Sequence, residues 1–273
     1  MLALVIPVGL LIGLSLGALG GGGSILAVPA LVYLFGQSSH AATTGSLLIV
    51  GTTSLVGVLP HRRAGRVSLA KGAVFGLLGI LGSYIGSRFS TAVPQDVLLA
   101  AFSVLILFVA VLMIRRQRRK PAPGGHPAVD PALADAPVIT FRPEFTCDCR
   151  RAVRIVLTAT TVGLLTGFFG VGGGFAVVPA LVLALGLSMP VAVGTSLLVI
   201  GINSVTALAF RLDQGLDLDW TVIGLFTLSA VLGGLAGNRV VSRVNPARLS
   251  QAFAILLVAV ALYTAARSIP HLF

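Results

Sequence analysis

The chain predicts an all-α integral membrane protein assembled from two homologous repeats of about five apolar segments each. Three observations carry that reading. Hydrophobic residues make up 56% of the 273 positions and charged ones only 10%, with a mean hydropathy of +1.02, whereas a soluble domain carries about 25% charged residues. Windows of roughly 18 or more apolar residues recur between short polar breaks, the length a helix needs to cross a hydrocarbon layer of about 30 Å. A shift of 150 residues lays 13–57 on 163–207 without a gap, with 19 of the 45 positions identical, which is the signature of a duplication. A water-soluble fold is excluded.

In the first half the apolar segments fall at about 2–19, 24–36, 40–59, 68–89 and 96–114. The first lacks the basic start and small-residue cleavage site of a secretory signal, so it is expected to remain as a membrane segment. The second holds about 13 residues and covers only about 20 Å as a helix. It is therefore half of a broken helix or one arm of a re-entrant hairpin. Between the halves, 115–154 opens with Arg115-Arg116-Gln117-Arg118-Arg119-Lys120 and continues rich in Pro and Ala through Pro143, the composition of a linker. The expected division is a first membrane repeat at 1–114, a polar linker at 115–154 and a second membrane repeat at 155–273.

A net charge of +11 could suggest nucleic acid, but the 19 Lys and Arg lie in connections and helix ends, where the positive-inside bias places them. No nucleic acid is expected as a partner, only lipid and a small solute. His61, Arg62, Arg63, Arg66 and Lys71 make the third connection of half one basic, while the matching connection of half two carries Arg211 against Asp213, Asp217 and Asp219. Those two loops are expected on opposite sides, with the linker and the Arg239, Arg243 and Arg248 turn on the cytoplasmic one. Each half then crosses an odd number of times, and the repeats are inverted, an arrangement common in secondary transporters. Cys147 and Cys149 fall in the linker, where cytoplasmic thiols stay reduced. With His126 upstream they make only a weak metal signal, and neither metal nor cofactor is expected.

The run Gly20-Gly21-Gly22-Gly23-Ser24 returns as Gly170-Val171-Gly172-Gly173-Gly174. Each Gly costs a helix about 1 kcal/mol relative to Ala, so a helix is expected to break at each run. A new helix would restart with Ser24 or Gly174 at its cap, leaving unpaired N–H groups and partial positive charge inside the membrane. Two such ends meeting from opposite sides would hold one anion. On this reading Gly22, Gly23, Gly172 and Gly173 admit the ligand to the backbone, where a Cβ would obstruct it. Pro29 and Pro179, about six residues farther on, would shape the break.

The third segments add neutral donors: Ser46 and Ser54 in half one, Thr195, Ser196, Asn203 and Ser204 in half two, with Thr43, Thr44, Thr52 and Thr53 beside them. These groups either satisfy their own helices or coordinate anion oxygens. For the scattered Gly76, Gly79, Gly82 and Gly86, close helix packing is the simpler reading.

No Asp or Glu falls within the core of any expected membrane segment. Proton-coupled pumps usually carry an intramembrane carboxylate, and a membrane hydrolase needs acid and base groups at depth. The chain is accordingly not read as an enzyme. An interior-negative potential of 100 mV supplies about 2.3 kcal/mol per charge, which drives an anion outward without a coupling ion. The reading is a secondary transporter of small anions; the alternative is a membrane-embedded accessory or assembly protein without transport of its own.

The duplicated Gly-Gly-[Ser/Gly]-x-x-x-Val-Pro-Ala-Leu at 22–31 and 172–181, the following Ser-Leu-Leu at 46–48 and 196–198, and the Gly-Ser-Arg and Gly-Asn-Arg at 86–88 and 237–239 resemble the TauE/SafE sulfite exporter family. The resemblance spans nearly everything outside the linker. It implies an integral permease of a bacterial-type inner membrane that exports sulfite, sulfonates or related organosulfur anions.

Overall fold

The computed structural model describes residues 2–90, 95–118, 139–140, 146–147, 149–169, 174–209 and 219–268. Among these the chain is helical apart from turns and one two-residue antiparallel ladder, Ile139–Thr140 with Thr146–Cys147. The helices of the first half are α1 (Leu2–Leu19), α2 (Gly22–Tyr33), α3 (Ser39–Arg63), α4 (Leu69–Ser90) and α5 (Gln95–Arg118). Those of the second are α6 (Cys149–Phe169), α7 (Gly174–Leu183), α8 (Met189–Ala209), α9 (Trp220–Arg243) and α10 (Pro246–Ser268). Helices therefore enter the stretch read as linker from both ends. Arg115, Arg116 and Arg118 are good helix formers and favourable at a helix C-terminus, which carries α5 past the last apolar residue.

Among the described residues five helices are long and apolar enough to cross a bilayer: α3, α4, α8, α9 and α10. Large apolar side chains cover the outside, among them Leu11, Leu77, Leu81, Leu157, Leu228 and Ile255, each more than 60% exposed. In water that much exposed apolar surface would drive aggregation; in lipid it is the solvent-facing side.

Small residues set the closest helix contacts. Gly9, Gly13 and Gly17, four apart on α1, lie against Ser229, Ala230 and Gly234 of α9. A Cβ on Gly13 would stand 2.6 Å from the Ala230 carbonyl carbon, so the backbones touch as only glycine permits. The register rises together along both helices, so α1 and α9 run parallel. The α4/α6 seam is built the same way: Gly82 faces Thr160 and Leu164, Gly86 faces Leu164 and Phe168, and Gly163 faces Gly79. Gly79, Gly82 and Gly86 thus serve packing, as read from the sequence, while Gly76 meets Ile202 of α8.

Between the seams α3 and α8 cross antiparallel, Gly51 opposite Ser204 and Leu55 opposite Gly201. Helix α3 also runs parallel to α9, from Gly45 beside Ile223 to Thr53 beside Gly234, and α5 packs on α10. One apolar cluster, including Ile12, Leu31, Ile49, Ile200 and Phe226, fills the space among α1, α2, α3, α8 and α9. A second, including Phe75, Met113, Leu181 and Phe253, lies among α4, α5, α7 and α10.

Short helices α2 and α7 end in matching turns. Gly36 and Gly186 take φ of +65° and +70°, and the next amides bond back at 3.1 Å, Gln37 to the Leu31 carbonyl and Leu187 to that of Leu181. This left-handed stop suits glycine because it has no Cβ to clash. The α3–α4 turn, with Arg62, Arg63 and Arg66, meets α9 through a 2.8 Å bond from Arg66 Nη2 to Asn238 Oδ1. Arg243 and Arg248 lie at that same end of α9, whereas Asp219 caps its far end, accepting from the Thr221 and Val222 amides at 3.1 and 3.2 Å. Asp213 and Asp217 lie outside the described residues.

Candidate functional site

Helix α1 ends at Leu19 because Gly20 adopts φ of +70°, a conformation that reverses the chain and that L side chains adopt only with strain. Helix α2 restarts at Gly22 and folds back on α1, so that Gly23 lies against Ile12 and Leu16. Its N-cap is Gly21, which has no side chain to bond the first amides. Those N–H groups have no intrahelical acceptor.

Ser24 therefore stands inside the first turn and not at the cap. Its hydroxyl donates to the Gly21 carbonyl at 2.7 Å. Gly174 opens α7, and Gly172 and Gly173 lie outside the described residues.

The two helix starts adjoin. A Cβ on Gly174 would stand 2.6 Å from Ser24 Oγ and 2.8 Å from Gly21 Cα. Ser196 of α8 closes the other side of the turn, since a Cβ on Gly20 would collide with its Oγ. Gly20, Gly21, Ser24, Gly174 and Ser196 are all buried. Two expected ligand-facing glycines do something else: a Cβ on Gly22 would stand 2.7 Å from Leu256 of α10, and one on Gly23 would meet the Ile12 carbonyl and Leu16. Both admit neighbouring helices. The tightest approaches within the break itself are at Gly20, against Ser196 and Val178, and at Gly174, against Ser24 and Gly21.

The hydroxyls divide into two groups. Ser46 and Ser196 donate to the carbonyls three residues back, Thr43 and Val193, both at 2.8 Å. Thr195 faces the α3–α4 turn and accepts the Ser68 amide at 3.0 Å. By contrast, Ser54 Oγ, Ser204 Oγ and Asn203 Oδ1 are buried without a hydrogen-bond partner in the protein, as is Thr53 Oγ1 beside them.

His61, read from sequence as part of a basic loop, is fully buried at the end of α3. Its Nε2 lies 3.2 Å from the Gly17 carbonyl. That carbonyl is one that the end of α1 leaves without a helical partner, so the imidazole N–H donates to it and braces the break. Its Nδ1 has no partner within the protein.

An apolar-coated helical protein with five helices of membrane-crossing length and two buried helix starts in contact is a multi-pass integral membrane protein. The chain belongs to the sulfite exporter TauE/SafE family, which it matches over residues 5–264. It is 32% identical over 262 residues to a probable membrane transporter protein of Xylella fastidiosa (strain 9a5c), covering 94% of this chain and 92% of that one. The probable membrane transporter protein YunE of Bacillus subtilis (strain 168) is 26% identical over 253 residues, covering 89% and 88%. A probable membrane transporter protein of Methanocaldococcus jannaschii is 34% identical over 117 residues, 41% and 43% of the two chains. The protein is a member of a membrane transporter family.

Proposed function

We propose that the protein exports small sulfur oxyanions, sulfite or sulfonates, across a bacterial-type inner membrane, using two inverted repeats. The observation that carries this reading is the contact between the α1–α2 break and the start of α7, Gly21 and Ser24 against Gly174. Helix starts bring partial positive charge and free N–H groups to one buried place without a fixed cation. An anion bound there is held firmly enough to be selected and weakly enough to leave.

The Ser46 and Ser196 hydroxyls donate to their own helices and reach an anion by turning those protons toward it. Inversion is supported by helix direction: α3 runs against α8, its counterpart 150 residues on, and α1 runs with α9 where α6 runs with α4. Cytoplasmic placement of the linker and of the basic α3–α4 and α9–α10 turns follows from the positive-inside bias.

The decisive experiment is efflux of sulfite and of an alkylsulfonate from loaded proteoliposomes under an interior-negative potential. Saturable efflux that slows when the potential is collapsed is expected; no efflux of either, with correctly inserted protein, would leave the accessory-protein reading. Topology is tested separately by thiol labelling on a background lacking Cys147 and Cys149. A cysteine at Ala64 and one at Gly215 should be modified from opposite sides of the membrane; labelling from the same side would overturn the inversion.

A further inference from the structure

The α3/α8 crossing holds polar groups that neither the fold nor the helix breaks employ. Among the described residues, helix hydroxyls commonly turn back into their own helix: Thr166, Thr206, Thr227 and Ser229 each donate to the carbonyl four residues back at 2.7–2.9 Å, and Ser24, Ser46 and Ser196 to the one three back. This is the ordinary way a helix in lipid satisfies a hydroxyl. Thr53, Ser54 and Ser204 break the habit. They are only 0–2% exposed, and their oxygens have no partner within the protein. Asn203 Oδ1 is likewise buried and unpartnered.

The four positions are two pairs 150 residues apart, Thr53 with Asn203 and Ser54 with Ser204. Gly51 and Gly201 bring the helices together at this point, a Cβ on Gly51 falling 2.8 Å from Ser204 Cβ. Duplicated glycines thus make the approach, and duplicated polar residues stand unpaired beside it. An unpartnered buried hydroxyl is destabilising, and here three occur close along the two helices, Ser204 opposite Gly51, Ser54 one turn on from Gly51, and Thr53 with its methyl group against Gly234 of α9, whereas the Asn203 amide lies against Gly79 of α4.

We infer that Thr53, Ser54 and Ser204 form a second, charge-free anion station that accepts singly charged sulfur oxyanions and rejects dianions. The inference rests on the anion-transport reading above and names its substrate class. No ionisable residue occurs at 41–60 of α3, 189–209 of α8 or 222–237 of α9, so an ion here is held by neutral dipoles alone. The cost of stripping water from an ion grows with the square of its charge, while its attraction to neutral donors grows only in proportion. A site without a cation therefore favours hydrogen sulfite or a sulfonate over the sulfite dianion or sulfate. Hydroxyl protons not committed to the helix are what such a ligand needs as donors.

Binding to the purified full-length protein tests this, with methanesulfonate as the permanent monoanion, sulfate as the dianion, and sulfite across the range in which hydrogen sulfite loses its proton. Methanesulfonate affinity should not change with pH over that range. Sulfite affinity should fall as pH rises, and sulfate should bind at least tenfold more weakly. Ser54→Ala combined with Ser204→Ala should lower methanesulfonate affinity by roughly tenfold per hydroxyl, while Ser229→Ala leaves it unchanged.

Thr53→Val, which keeps the shape, should lower affinity with unchanged elution and thermal unfolding, and it stands in if the double variant does not fold. Sulfate bound as tightly as methanesulfonate, or wild-type affinity in folded Thr53→Val and the double serine variant, would overturn the inference while leaving anion transport intact. Absence of binding and efflux for every sulfur anion would instead remove the transport reading on which it rests.

Discussion

The α1/α9 and α4/α6 seams and the α3/α8 crossing are made of the same small residues, yet they treat polar groups in opposite ways. Along the seams glycine lets backbones touch, and the hydroxyls nearby, Ser229 and Thr166, turn back into their own helices. At the crossing glycine again brings two helices together, but Ser54 and Ser204 keep their hydroxyls unspent. Small residues alone thus do not tell the two regions apart; what differs is whether the polar groups beside them take or decline their local partner.

The sharpest way to break the comparison is to overfill a seam. Gly13→Val should give little monodisperse protein, because its side chain would enter the Ala230 backbone and overpacking of this kind costs about 1–3 kcal/mol or more. Gly224, with nothing within 4 Å of its Cβ position, is the control; Gly224→Ala should fold as well as wild type, or better by up to about 1 kcal/mol. Equal yields from the two would show that the seam is not tightly packed.

Next in size is Gly20→Ala, which combines a left-handed backbone with a collision at Ser196, against Gly65→Ala, where φ is +67° but the Cβ position is open. Strain alone costs about 1–2 kcal/mol, so Gly65→Ala should lower the unfolding temperature modestly and Gly20→Ala clearly more. The difference between them measures how closely the break is packed against α8.

His61→Leu should cost about 1–3 kcal/mol by leaving the Gly17 carbonyl buried and unpaired. Thermal unfolding should show the loss, and His61→Gln, which can still donate, should recover part of it. The smallest expected effect is at the periphery: Asp219→Ala removes the α9 cap for about 1 kcal/mol, with anion binding unchanged.

Much of this architecture could be read in advance. Segments at 2–19, 68–89 and 96–114 appear as α1, α4 and α5 within a few residues, because runs of apolar residues in lipid leave the backbone no partner but itself. The short second segment appears as α2, folded back on α1. Other features could not be read so closely. His61 looked like one more loop cation, since nothing in its neighbours in sequence reveals the carbonyl that α1 abandons 44 residues earlier. That Gly22 lies against Leu256 and Gly23 against Ile12 and Leu16 could not be read either, because periodicity does not say which side of a helix meets α10 or α1.

By itself the sequence determined that the chain lives in lipid, where the helices of its first half run to within a few residues, and that the first of them breaks at its glycine run. Hydropathy, glycine and proline act locally, through the backbone's need for hydrogen bonds. Which glycines carry helices and which border the break, and which hydroxyls remain unspent, was decided only when α1 met α9, α4 met α6 and α3 crossed α8. Those outcomes depend on the side of each helix that a neighbour covers, a property of pairs of helices and not of either sequence alone.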